Sequence, residues 1–318
     1  MRGERPFRFG LQVLDAPGPE AWVARARRAE ELGFDVLVVP DHVVDGAPAP
    51  LSTLGFLAAA TDRIRIGTMV LNNDFRHPAL LAREAAMVDL LSDGRLELGI
   101  GAGHAAPEYH ELGLTFDPAA VRVERLEASV AILRRLFDGE TVTVEGPHYR
   151  LDEHRLTPAR RPTLLVGGNG DGVLRLAATS ADIVGFTGLG RTRADGQRHE
   201  TQWAVDQIDA KVGLVRAAAG SRLGDLELSA LVQHVAITSD RERAAEPIST
   251  LTGVDPTVLL AAPYLLLGTP GEIVEQLYEA RARWGFSYFV TRDASASAPI
   301  IEALRDAGSL RSAADRER

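Results

Sequence analysis

Val38-Val39-Pro40-Asp41-His42 is a short apolar run that breaks into an acid and an imidazole. A similar break recurs at Met69-Val70-Leu71-Asn72-Asn73, at Ile100-Gly101-Ala102-Gly103-His104 and at Val166-Gly167-Gly168-Asn169. The segments between these breaks carry apolar residues at helical spacing. Strands that end in polar or Gly-rich loops, with helices between them, predict one binding face built from strand ends. That is how a (β/α)8 barrel makes an active site.

Working outward, the chain reads as eight strand–helix units. Phe7 to Val13 alternates as strand one, and Pro19 to Leu32 is a helix capped by Gly33. Asp35 to Pro40, Ile64 to Leu71 and Leu96 to Ile100 are the next strands. Leu51 to Thr61, Pro78 to Leu91 and Val121 to Phe137 are the helices that follow them. Thr163 to Val166, Asp182 to Phe186, Leu226 to Ile237 and Phe286 to Thr291 complete the strand set. Gly172 to Thr179, Gln202 to Ala219, Pro270 to Trp284 and Ala298 to Ala307 complete the helices. The fold expected is α/β, a (β/α)8 TIM barrel with three insertions. They are a hairpin near 141–151, a Gly- and Arg-rich lid at 187–199, and a helical insertion near 241–267. No linker divides the chain, so a single domain over 1–318 is expected.

Composition narrows the function. The chain has 318 residues, 45% of them hydrophobic, enough for a full barrel core. Net charge is −9 and the pI is about 5.5, which argues against nucleic acid or an anionic membrane as partner. There is no cysteine, which removes disulfides, thiolate metal sites and cysteine nucleophiles. Met1 to Pro6 runs straight into a strand and no apolar run is long enough to span a membrane, so a cytoplasmic location is expected. His42, His104 and His110 do not make a barrel metal site, because strand one has no His-x-His, and no Gly-x-Ser-x-Gly elbow is present. Gly99-Ile100-Gly101-Ala102-Gly103 is not a dinucleotide fingerprint, since its third glycine would fall on His104. Close approach of backbone to a flat ring is the better reason for these glycines. Gly167-Gly168-Asn169-Gly170 opens a helix, where backbone N–H groups can hold an anion.

Several stretches together resemble the bacterial luciferase-like monooxygenase superfamily of flavin and deazaflavin enzymes. They are Gly10-Leu11-Gln12, Glu31 to Asp35, Pro40-Asp41-His42, Thr61 to Thr68, Phe75-Arg76-His77-Pro78, Leu90 to Gly101 and Pro162 to Asn169 followed by Leu174 to Ala178. Asp41-His42 and the Asn72 to Pro78 run are most similar to the branch that uses coenzyme F420. The resemblance implies that His42 lies against the deazaflavin ring with Asp41 beside it. It also implies a non-prolyl cis peptide at Met69-Val70 pressing on the ring, Asn72 at the pyrimidine edge, and Ala102 and Gly103 near the ring. The cofactor phosphate would sit at Gly167, Gly168 and Asn169. His42 and His104 are the candidate catalytic residues. In the sugar-phosphate dehydrogenases of this branch the position of His104 carries a carboxylate, and its absence here argues against that substrate. Arg191, Arg193 and Arg198 are candidates to hold an acidic tail or substrate. The function expected is hydride transfer between coenzyme F420 and a small organic substrate, by a homodimer. The alternative is an FMN-dependent monooxygenase served by a partner flavin reductase, and a second alternative is a non-catalytic flavin-fold binding protein.

Overall fold

The computed structural model describes residues 5–192 and 199–316. Eight parallel strands close on themselves: β1 (Arg8–Gln12), β2 (Val36–Val39), β3 (Arg65–Thr68), β4 (Leu96–Gly101), β5 (Thr163–Gly167), β6 (Ile183–Phe186), β7 (Glu227–Leu231) and β8 (Phe286–Thr291). Each pairs with its chain neighbour, and Phe9 opposite Phe289 closes the ring between β1 and β8. This is the barrel the alternation of strands and helices predicts.

Period-2 alternation sorts the side chains into two layers. Val36, Val38, Met69, Leu165, Ile183, Leu231, Tyr288 and Val290 fill the barrel interior. Leu37, Val39, Ile66, Leu98, Ile100, Leu164 and Val166 point outward, into the packing with the helices. Strands β2 and β4 are buried at every position, which is why they read as unbroken apolar runs. The N-terminal end of the barrel is plugged by paired charged side chains. Arg8 bonds Glu97 and, at 2.6 Å, Glu227, while Arg65 reaches Glu97 at 2.7 Å. The opposite end stays free for chemistry.

Helix boundaries follow local signals closely. Pro19–Leu32 starts on its proline and stops at Gly33, whose φ of 87° is the left-handed cap. Pro78–Leu91 and Pro270–Trp284 are as expected, the latter with a Thr269–Glu272 capping box. Three expectations are corrected. Strand three ends at Thr68 and resumes as Leu71–Asn72 after a cis Met69–Val70 bond. Strand seven breaks at Val232-Gln233, and His234–Ile237 leaves the barrel to pair in parallel with Leu265–Gly268. The 241–267 insertion is therefore two helices, Arg241–Thr252 and Pro256–Ala261, followed by a strand. Leu265 to Leu267 is a short apolar run that periodicity alone cannot assign. The hairpin is present as Thr141–Glu145 against Arg150–Arg155. Within the expected lid, Leu189–Thr192 pairs with His199–Thr201, and 193–198, including Arg193 and Arg198, lie outside the described residues.

Candidate active site

The mouth is assembled from the loops that follow the strands. Asp41, just past β2, is buried. Its Oδ2 accepts the Asn72 backbone N–H at 2.9 Å and a bond from Arg76 Nη1, and its Oδ1 accepts Arg76 Nη2 at 2.9 Å. Both oxygens are thus engaged by protein, and Asp41 acts by tying the β2 loop to the β3 loop. His42 turns the other way, its side chain 40% exposed. Its Nδ1 lies 2.6 Å from Glu108 Oε1, and Glu108 Oε2 accepts the Val43 N–H at 3.3 Å. A carboxylate on Nδ1 makes that nitrogen the protonated one. Nε2 is left facing the mouth, with no partner among the described residues.

Met69–Val70 is cis, as the resemblance implied. The Val70 side chain sits in a hollow lined by glycine. A Cβ on Gly101 would stand 2.8 Å from Val70 Cγ2, and one on Gly167 would stand 2.9 Å from Val70 Cγ1. A Cβ on Gly99 would meet the Thr68 carbonyl oxygen at 2.0 Å. These three glycines answer to strand backbone and to Val70, a reason the sequence did not disclose. Gly103 is different. Its φ is 73°, and a Cβ there would lie 2.1 Å from the Tyr109 hydroxyl and 2.6 Å from Asn72 Oδ1.

That crowding marks a second chain of polar contacts. Tyr109 donates its hydroxyl towards Asn72 Oδ1 and Asp74 Oδ2, each at 3.0 Å. Arg125 bonds Asp74 at 2.7 Å and also pairs with Asp117. Asn72 Oδ1 accepts the Asp74 N–H as well, at 3.1 Å. The amide nitrogen of Asn72 remains without a partner among the described residues. Arg122 donates to the carbonyls of Ala102 (3.3 Å) and Gly103 (3.4 Å), holding that loop in place.

His104 stands beside His42, ring centroids 5.7 Å apart, and beside His199, 4.9 Å apart. His199 Nε2 is 3.2 Å from His104 Nδ1. The strand pair Leu189–Thr192 and His199–Thr201 thus brings a third imidazole to the mouth. His104 is exposed at the mouth, yet the protein packed around its ring withdraws part of its solvation. That loss of solvent, followed by repulsion from His199, His42 and Arg122, lowers its pKa to about 4. At neutral pH it is an uncharged imidazole. A depressed histidine pKa means the unfolded chain binds the extra proton first, so stability falls as pH drops from about 6.5 towards 4. His104→Gln should flatten the pH dependence of urea denaturation within that window. An unchanged slope would show that His104 titrates normally.

On the far side, Asn169 Nδ2 donates to Gln202 Oε1 at 2.6 Å, while Asn169 Oδ1 is buried with no partner among the described residues. The helix Asp171–Ser180 starts at Gly170 with no side-chain cap, leaving its first N–H groups for a ligand. Asp171 at this end is paired with Lys211 at 2.6 Å, which offsets its charge. Among the described residues no group of three or more acids and imidazoles is arranged to hold a metal.

The anticipated residues therefore gather in one mouth. Asp41 bonds Asn72, His42 faces His104, and Val70 rests between Gly101 and Gly167. Sequence reading missed Glu108 and Tyr109, which sit on the short helix Ala106–Glu111. Pro107 at the head of that helix was the available signal. It also left Gln12 and Arg76 without a role and did not see Arg292. Gln12 Nε2 donates to the Met69 carbonyl at 2.8 Å, and its Oε1 accepts from Arg292 Nε at 2.7 Å.

A closed parallel barrel with polar side chains gathered at the C-terminal strand ends is the architecture of barrel enzymes. The model of the luciferase-like monooxygenase family matches residues 6–255, and the chain belongs to that family. It is 34% identical over 251 residues to a protein of Nakamurella multipartita named F420-dependent glucose-6-phosphate dehydrogenase, covering 76% of this chain and 71% of that one. A protein of the same name from Beutenbergia cavernae is 28% identical over 297 residues, covering 86% of this chain and 88% of its own. Among solved structures, the coenzyme F420-dependent tetrahydromethanopterin reductase of Methanopyrus kandleri superposes with a TM-score of 0.71 at 18% identity. That match covers 94% of this chain and 98% of the reductase, a likeness of fold.

Proposed function

We propose that this protein is an oxidoreductase that moves hydride between coenzyme F420 and a small organic substrate, acting as a single barrel domain over 1–318. The observation that carries this reading is His42, with Nδ1 anchored by Glu108 and Nε2 turned into the mouth. Coenzyme F420 supplies two-electron hydride chemistry when bound. The residues fit such a group. Val70 offers an apolar surface, Asn72 an unused amide for a polar ring edge, and the Asp171–Ser180 helix start an uncapped N-terminus for a phosphate. The buried Asn169 Oδ1 lacks a donor among the described residues. His42 holds the proton that the substrate oxygen gives up or takes back, in either direction of reaction. Glu108 keeps the imidazole in one tautomer and steadies its charged form. The names of the relatives support F420 over FMN, the choice that would instead require O₂ and a partner flavin reductase.

Titration of the protein with F420 and with FMN, followed by tryptophan fluorescence, checks this. F420 is expected to bind and FMN to bind much more weakly. Tight FMN binding with no response to F420 reverses the assignment, and no response to either leaves a non-catalytic fold.

A homodimer fits the surface. Leu80, Met87 and Leu91 are about half exposed on the helix Pro78–Leu91. Burying such a stripe against its own copy forms a two-fold contact. Light scattering should give twice 34.2 kDa, and Met87→Arg should return the mass to one chain. A single-chain mass for the unaltered protein removes the dimer. No described helix is long and apolar enough to cross a membrane, and we read the protein as working in the cytoplasm.

A further inference from the structure

The residues read above as cofactor-facing follow β2, β3, β4 and β5. Across the mouth lie the ends of β7, β8 and β1, and there the chemistry changes. Gln12 ends β1, Gln233 follows β7 and Arg292 follows β8. Arg292 donates from Nε to Gln12 Oε1 at 2.7 Å and from Nη1 to Gln233 Oε1 at 3.2 Å. Both acceptors are neutral amides. Among the described residues Arg292 has no carboxylate partner, and its Nη2 has no partner at all. His234, the next residue after Gln233, feels the Arg292 charge but adds none that is fixed.

Among the described side chains, the other arginines of the mouth are committed. Arg76 is held by Asp41, Arg125 by Asp74 and Asp117, and Arg122 by backbone carbonyls and the Phe116 ring. In a chain of net charge −9, a cation held by two glutamine side chains and offered no acid among the described residues is an unbalanced charge. Gln12 also ties it to the Met69 carbonyl, beside the surface assigned to the cofactor. A bound anion would therefore be linked through Gln12 to the backbone at Met69.

We propose that Arg292, steadied by Gln12 and Gln233, is the specificity residue that receives a carboxylate group of the substrate. The proposal rests on the hydride-transfer reading above and names the substrate class for that site: a small alcohol or carbonyl compound bearing a carboxylate. A guanidinium is a planar fork that matches a carboxylate in shape and in single charge. A phosphate monoester dianion would bring a second charge that no other unpaired described cation in this half of the mouth meets.

The test uses the full-length protein with F420 added, and the probes are propionate, its neutral analogue propionamide, and inorganic phosphate. Calorimetric titration should show propionate binding and propionamide not. Arg292→Gln should weaken propionate about ten- to a hundredfold, the loss of a charge-assisted hydrogen bond, with F420 affinity unchanged. Arg292→Lys, which keeps the charge without the fork, should fall between. Gln233→Glu gives a second route should Arg292→Gln fold poorly. It places an acid on Nη1 and should displace propionate by a similar factor. Propionate and propionamide binding alike, or propionate binding undiminished in both variants, overturns the proposal. Inorganic phosphate binding more tightly than propionate overturns the carboxylate assignment in favour of a phosphorylated substrate. Failure of F420 itself to bind defeats the hydride-transfer reading, which is a separate outcome from the loss of carboxylate preference in a protein that binds F420 normally.

Discussion

Asp41→Ala should lower stability by about 3 kcal/mol and abolish cofactor binding with it. Asp41 is 5% exposed and its partner Arg76 24%, so removing the acid strands a largely buried guanidinium. Breaking a buried pair from one side costs about 3–5 kcal/mol, and the partial exposure of Arg76 sets the lower figure. The same change frees the Asn72 backbone N–H, because Asp41 is what the β3 loop hangs from. Asp41→Ala/Arg76→Met should recover part of the stability, since neither charge is then left alone, but it should not restore F420 binding. Urea denaturation of the two variants checks the first statement and F420 titration the second. A loss below about 1 kcal/mol, the range of an exposed pair, would place Asp41–Arg76 among surface ion pairs.

His42→Ala should reduce turnover or F420 affinity about ten- to a hundredfold for every substrate. One charge-assisted hydrogen bond is worth on the order of 1.5–3 kcal/mol. Glu108→Gln isolates the contribution of the carboxylate. It keeps a partner on Nδ1 but no longer steadies a charged ring, so turnover should fall while F420 affinity holds. His104→Ala should leave F420 affinity near that of the unaltered protein and change relative activity among substrates. Full affinity and full turnover in His42→Ala would return the end of β2 to a plain structural loop.

Most of the barrel was legible because its signals are local. Proline at a helix start and glycine at its end, as at Pro19 and Gly33, are properties of a few neighbouring residues. Unbroken apolar runs such as Leu96–Gly101 need no partner to be recognised. The segments that misled are those whose state depends on a distant chain. Leu265–Gly268 is a strand because His234–Ile237 lies beside it, and neither run contains that information.

The candidate site divides in the same way. Sequence alone determined that strand ends at 41–42, 72, 101–104 and 167–169 would share one mouth, because a barrel with alternating helices turns every such end the same way. Tertiary structure alone decided what each residue does there. It turned Asp41 inward to Arg76, and it set Glu108 behind His42 across 66 positions of chain. It made Gly99, Gly101 and Gly167 a hollow for Thr68 and Val70, and among the described residues it left Arg292 with two glutamines and no acid. Those outcomes rest on distances of a few ångströms between residues far apart in the chain, and local periodicity carries no record of them.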